Sequence, residues 1–295
     1  MTLVSDVIER TRRHLHSGET RDERNKTNAA LSTSDTAVGL TYEGQGIQRG
    51  AVLAVDLEEM YVWAATSSSA TVSRGDNGTT AATHASGATI LVNPKFSPFA
   101  ILQAVNEELA DLSSPVNGLF KVGRVDFTFN AGTDTYNLTG VADVIDIIDV
   151  TYDANDGSSR WPRLRRGEWA LTRGMQTGSF ASGMSLTING WAASGRDINV
   201  VYKAPFTALS TVAQDVETIS GLPASAHDIL AIGAAIRLTA GNEVARNFLE
   251  QSETRRADEV PPQARSSAMR SLIALRRDRI DAEKARLLAK YPVIR

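Results

Sequence analysis

The sequence predicts an α+β fold. A helical scaffold, made of an N-terminal helix, a central helix and a C-terminal helical pair, carries an inserted small β-barrel and a second antiparallel β region. Apolar residues recur at spacings of three and four in four separate stretches, the period of one helix face. Between these stretches the period falls to two, with Gly and Asn at the breaks, as in short antiparallel strands. Hydrophobic residues make up 42% of the 295 and charged residues 22%, enough for an ordinary packed core.

Residues 1–34 hold the first helix and a linker. Val4, Val7, Ile8, Thr11 and Leu15 share one face of a helix expected over 2–17. Arg10, Arg12, Arg13, His14 and His16 crowd its last turns, where cations suit the helix dipole, and Gly18 ends it. These charges read either as a basic docking helix or as the solvated side of an amphipathic one. Residues 19–34 are polar and read as a linker.

Residues 35–93 read as the small β-barrel insertion. Val52, Ala54 and Asp56 alternate with Leu53, Val55 and Leu57, and runs at Met60–Ala65, Ala70–Ser73 and Ile90–Val92 complete the set. Gly44, Gly46, Gly50, Asp76-Asn77-Gly78 and Ser86-Gly87 supply the turns.

Residues 94–118 read as the central helix. Ser97 caps it and Pro98 takes the first helical position, where its missing N–H costs nothing. Ile101, Leu102, Val105, Leu109 and Leu112 form the buried stripe, Glu107, Glu108 and Asp111 are expected to face out, and Ser113-Ser114-Pro115 stops the helix. Residues 119–210 read as an antiparallel β domain. Its strands are expected at Val122–Phe129, Thr135–Leu138, Val144–Tyr152, Met184–Ile188 and Ile198–Lys203. The stretch from Ser158 to Gly178, with Trp161-Pro162-Arg163-Leu164-Arg165-Arg166, reads as an exposed basic arm.

Residues 211–295 read as the helical pair and a tail. One helix is expected over 226–250 through Leu230, Ala234 and Leu238, and Pro261-Pro262 breaks the chain. The next, over 264–290, has Met269, Leu272, Ile273, Ile280 and Leu287 on its apolar side, with Arg276, Arg277, Arg279, Glu283, Lys284 and Arg286 around the rest. The tail Tyr291-Pro292-Val293-Ile294-Arg295 is apolar. It reads either as packed on its own domain or as a peptide that inserts into a partner.

Composition excludes several functions. There is no cysteine, so disulfides, thiolate metal sites and cysteine nucleophiles are ruled out. The net charge of -3 argues against a DNA-coating protein. The charge is uneven: residues 253–295 have 11 Lys and Arg against 6 Asp and Glu, and residues 96–150 have 2 against 8. That asymmetry suits either contacts between copies of the chain or two differently solvated surfaces. Neither a bilayer-spanning run nor a signal core is evident, so a soluble protein made in a cytoplasm, with no membrane partner, is expected.

No motif announces chemistry. His14, His16, His84 and His227 include no His-Glu-x-x-His pair, and Gly44-Gln45-Gly46 lacks the context of a dinucleotide loop. Asp143, Asp146 and Asp149 are spaced by three, which on a strand alternates faces, so they read as a solvated or interfacial acidic edge. The expectation is a non-enzyme with no catalytic, metal-ligating or cofactor-binding residues. A carboxylate pair converging in space, as in a glycosidase, is left open. A carbohydrate-binding module is a poor match, because Trp63, Trp161, Trp169 and Trp191 are scattered.

The run Arg74-Gly75-Asp76-Asn77-Gly78-Thr79-Thr80-Ala81-Ala82-Thr83-His84-Ala85-Ser86-Gly87-Ala88, preceded by Glu59-Met60-Tyr61-Val62, resembles a β-module of tailed-bacteriophage virion proteins. Residues 49–93 carry the match, with Arg74, Gly75, Gly78, Thr79, His84 and Gly87 as its signature. In its order of elements the wider chain resembles siphophage head-to-tail adaptor (connector, or neck) proteins, whose scaffold is helical. Val200 to Phe206 and Leu222 to Asn247 are similar to neck proteins of actinobacterial siphophages. The resemblance implies a structural virion protein: a dodecameric ring of this chain at the neck, assembled in the host cytoplasm, joining the portal protein to a downstream tail or neck protein. It also implies sequence-independent passage of double-stranded DNA through the lumen, and a portal-docking role for Tyr291, Pro292, Val293, Ile294 and Arg295. Other virion roles (tail terminator, baseplate or capsid-associated protein) and a tail-associated cell-wall hydrolase are the alternatives.

Overall fold

The computed structural model describes residues 1–16, 22–44, 46–133, 135–138, 143–154, 161–189, 194–250 and 262–291. Among them are five α-helices and twelve strands, so the architecture is mixed and strand-rich. This corrects the expected helical adaptor scaffold with β insertions. The chain divides into two units, Met1–Leu109 with Ala208–Ile219 and Pro223–Arg279, and Ala110–Thr207 with Ser220–Leu222 and Ile280–Arg295.

The first unit is built around a six-stranded antiparallel sheet. Its strands are β1 (Glu23–Lys26), β2 (Ala37–Gly39), β3 (Val52–Val55), β4 (Glu58–Ala65), β5 (Ser69–Ser73) and β6 (Thr89–Val92), in the order β1-β6-β3-β4-β5-β2. The sheet curls into a half-barrel whose edge strands meet at a bridge between Thr27 and Leu40. Leu53, Val55, Met60, Val62, Val72, Ile90 and Val92 fill its concave side. Truncating one of these to Ala is expected to cost about 2–5 kcal/mol.

β1 lies inside the stretch read as a linker, which is a second correction. Its inward positions are polar: Asn25 and the adjoining Thr27 are buried. Asn25 donates to Tyr42 O at 3.0 Å and accepts from Tyr42 N at 3.1 Å, and Thr27 Oγ1 donates to Ala85 O at 2.9 Å. Side chains that satisfy backbone groups stand where apolar ones normally do, so no apolar alternation marks the strand.

The helices are α1 (Val4–His16), α2 (Pro98–Leu112), α3 (Val216–Ser220), α4 (His227–Glu250) and α5 (Pro262–Lys290). In the first unit α1 packs on α4. Val4, Val7 and Ile8 of α1 are all buried. Ser97 caps α2, its Oγ accepting from Ala100 N at 3.1 Å. Glu108, expected to face out, is instead buried on α2. Arg276 of α5 donates to it at 2.6 Å and Arg237 of α4 at 3.2 Å. Gly233 of α4 leaves the room: a Cβ there would stand 2.1 Å from Glu108 Cδ.

The second unit is two three-stranded antiparallel sheets sharing one core. β7 (Lys121–Thr128), β12 (Asp197–Ala204) and β9 (Asp146–Tyr152) form one in the order β7-β12-β9. β10 (Trp169–Arg173), β11 (Met184–Ile188) and β8 (Thr135–Asn137) form the other in the order β10-β11-β8. Ile147, Val150, Leu186, Ile188, Ile198 and Val200 pack in that core. The expected basic arm also needs correcting. Arg163 bridges Thr151, Leu164 is buried, and β10 pairs with β11 from Trp169 opposite Ile188 to Arg173 opposite Met184.

Candidate functional site

Three residues of the β-module signature, Arg74, Gly75 and His84, converge on one carboxylate that the sequence did not single out. β3 and β4 are joined by the two-residue turn Asp56-Leu57, with Asp56 in the left-handed region at φ 51. The turn delivers Glu58, the first residue of β4, into the interior of the unit with its side chain fully buried. An unpaired carboxylate in that position would be prohibitively costly. Arg74, immediately after β5, answers it with a two-pronged contact, Nε to Oε1 at 2.6 Å and Nη2 to Oε2 at 2.8 Å. The Gly75 amide donates to Oε1 at 3.1 Å and the Ala82 amide to Oε2 at 2.9 Å.

His84 completes the cluster. Its backbone pairs with Leu31 and its side chain is buried. Nε2 stands 2.9 Å from Glu58 Oε2, and Nδ1 stands 2.9 Å from Asp56 Oδ2. Two carboxylates facing the two ring nitrogens favour a proton on each nitrogen, the imidazolium form. Burial pulls the His84 pKa down, but the hydrogen bonds to Asp56 and Glu58 outweigh it and the net shift is upward. Burial likewise pushes Glu58 up. The hydrogen bonds from Arg74, the Ala82 amide and His84 overcome it and hold the carboxyl down to about 2. Hydrogen bonding to Glu58 raises Arg74 in turn, against a smaller opposing effect of burial.

The rest of the signature shapes the loop around this cluster. Arg74 also donates to the carbonyls of Ser32, Asp35 and Ala82. Thr79 Oγ1 accepts from Glu59 N at 3.0 Å and donates to Asp76 O at 2.8 Å. Asn77 donates to Glu59 Oε2 at 2.6 Å. Gly75 has φ +64, and a Cβ on it would meet Thr79 O at 3.1 Å. Gly78 and Gly87 take φ +79 and +81 in open turns and do not touch the charged cluster.

A cavity of about 420 Å³ opens beside the cluster, lined by Asp56, Glu58 and His84 together with Phe99, Gln103 and Asn106. Asp56 is half exposed (50%), whereas His84 and Glu58 are buried. An imidazolium has no lone pair to accept a proton, and a carboxyl held near 2 has no proton to give at neutral pH. The contacts among Glu58, Arg74 and His84 hold charge in place, and the Asp56 carboxylate is left at the edge of the cavity.

Of the other expected positions, Tyr291 continues the last helical turn, its N–H donating to Leu287 O at 2.8 Å. Pro292, Val293, Ile294 and Arg295 lie outside the described residues. Asp149 pairs with Arg163 at 2.9 Å and Asp146 with Lys203 at 3.9 Å. Among the described residues no group of three or more His, Asp or Glu is placed to hold a metal ion. Nor, among them, is any helix long and apolar enough to cross a membrane.

Asp56 and Glu58 escaped the sequence reading because both sit inside an apolar hairpin and look like its polar alternates. The available signal was three acids, Asp56, Glu58 and Glu59, in an otherwise apolar strand pair, with a lone Arg and a lone His 16 and 26 residues after Glu58. No protein-family model matches the chain, and no curated protein matches it either.

Proposed function

We propose that the chain is a non-catalytic structural protein of a tailed-phage virion, working as an oligomer at the head-to-tail junction. The observation that carries this reading is the state of Arg74 and His84. The charged side chains of the phage-like signature are spent inside the module, on Glu58 and Asp56, so what the signature specifies is a rigid platform. With the helical scaffold set aside, the proposal rests on the resemblance of residues 49–93 to a β-module of tailed-phage virion proteins. A ring of copies between the portal and the tail, with double-stranded DNA passing through it, is the arrangement this reading favours. Ring contacts would be heterologous and closing. Native mass spectrometry and negative-stain imaging of the purified chain, alone and mixed with the portal of its phage, test it. Closed rings that bind portal support the junction role; rings or sheets that ignore portal move the chain elsewhere in the virion.

A second reading, a tail-associated hydrolase, draws on the half-exposed Asp56 carboxylate at the edge of the 420 Å³ cavity. A zymogram on host peptidoglycan separates the two, because clearing that is lost in Asp56→Asn contradicts the structural role.

A further inference from the structure

The outer face of the β7-β12-β9 sheet has the composition of a sugar-binding surface. Strand register sets Asp126 opposite Asn199, and Asn199 opposite Thr151. With strands about 4.8 Å apart, that polar row is roughly 10 Å long, comparable to a disaccharide. The segment after β9 runs alongside it, with Arg163 bridging Thr151. Trp161, two residues before Arg163, projects from the same side of the sheet and is 47% exposed. Arg124, Asp126, Thr151, Trp161, Asp197 and Asn199 together line a depression of about 450 Å³.

We propose that this face binds a neutral glycan. An indole offers a flat apolar surface to the C–H face of a sugar ring. The hydroxyls around that ring both donate and accept, and the row matches them with carboxylate acceptors (Asp126, Asp197), a guanidinium donor (Arg124) and two groups that do both (Asn199, Thr151). Two carboxylates repel the phosphates of a nucleic acid, and Arg124 opposes a simple cation. Arg163 does not change this balance, since Asp149 holds it at 2.9 Å. The scattered tryptophans of the sequence are therefore no objection. One exposed ring suffices where the register gathers its polar partners from three strands, and the site does not depend on the virion role proposed above.

The full-length chain is titrated by calorimetry with cellohexaose, mannohexaose and chitohexaose. Binding to at least one is expected, weakened roughly tenfold in Trp161→Ala and in Asn199→Ala and largely retained in Trp161→Phe. Trp63→Ala, an exposed tryptophan of the other unit, serves as a control with unchanged affinity. Silence towards all three sugars, a response to single-stranded DNA alone, or wild-type affinity in a folded Trp161→Ala protein overturns the proposal.

Discussion

His84 Nε2 and Glu58 Oε2 stand 2.9 Å apart with both side chains out of contact with solvent. Their separation in sequence is 26 residues, so the contact ties the start of β4 to the far end of the loop that follows β5. Arg74 reaches the same carboxylate from between them. One buried acid thus organises a stretch whose composition, rich in Gly, Thr and Ala, supplies almost no apolar core of its own.

Removing the acid should therefore hurt more than removing either cation. Glu58→Gln removes the buried negative charge that both Arg74 and His84 face, a loss of about 3–5 kcal/mol. His84→Gln leaves Glu58 still held by Arg74 and two amides, and should cost about 1–3 kcal/mol. Urea denaturation of the two variants checks the order; equal or reversed losses contradict it.

The same cluster gives stability a definite pH dependence. Glu58 is held near 2 when folded against an ordinary 4.5, so its contribution is present above pH 4.5 and is lost as pH falls towards 2. His84 is raised above its ordinary 6.5, so its contribution is complete below pH 6.5 and fades as pH rises through the folded value. The gap in urea midpoint between wild type and His84→Gln should narrow steadily above pH 6.5. A gap that stays constant from about pH 5 to about pH 9 rules the ion cluster out as its cause.

The glycines of the signature should separate in thermal melts. Gly78→Ala and Gly87→Ala meet open space and carry only the left-handed backbone penalty, about 1–2 kcal/mol. Gly75→Ala adds a Cβ 3.1 Å from Thr79 O and 3.2 Å from Ala81 N, and should lose clearly more than the other two.

At Glu108, Gly233→Ala places a methyl 2.1 Å from Cδ and must push the carboxylate off Arg237 and Arg276. Overpacking of this kind costs about 1–3 kcal/mol. Hydrogen exchange should show α2 and α4 opening more readily in Gly233→Ala; protection equal to wild type would mean that the carboxylate relocates freely.

The sequence was most readable where burial is apolar. The stripes of α1 and α2 follow from Val, Ile and Leu at a period of 3.6, and the apolar run of β3 marks a strand buried at successive positions. It was least readable where polar groups are buried. β1 hides behind Asn25 and Thr27, and Glu108 looks like an outward residue because its partners, Arg237 and Arg276, come from helices more than a hundred residues away. In the candidate site, Arg74 and His84 stood out by their motif. Asp56 and Glu58 did not, since alternation alone places an acid on a solvent face and gives no hint that a cation waits on the other side.

Whether His84 is held as a fixed charge comes down to the protons on its ring. A nitrogen-15 NMR spectrum of the His84 imidazole at neutral pH reads them directly. Both nitrogens should carry a proton, in a ring whose pKa is raised above 6.5 by its hydrogen bonds to Asp56 and Glu58. A neutral ring with one bare nitrogen, free to act as a base beside the 420 Å³ cavity, would contradict the structural reading.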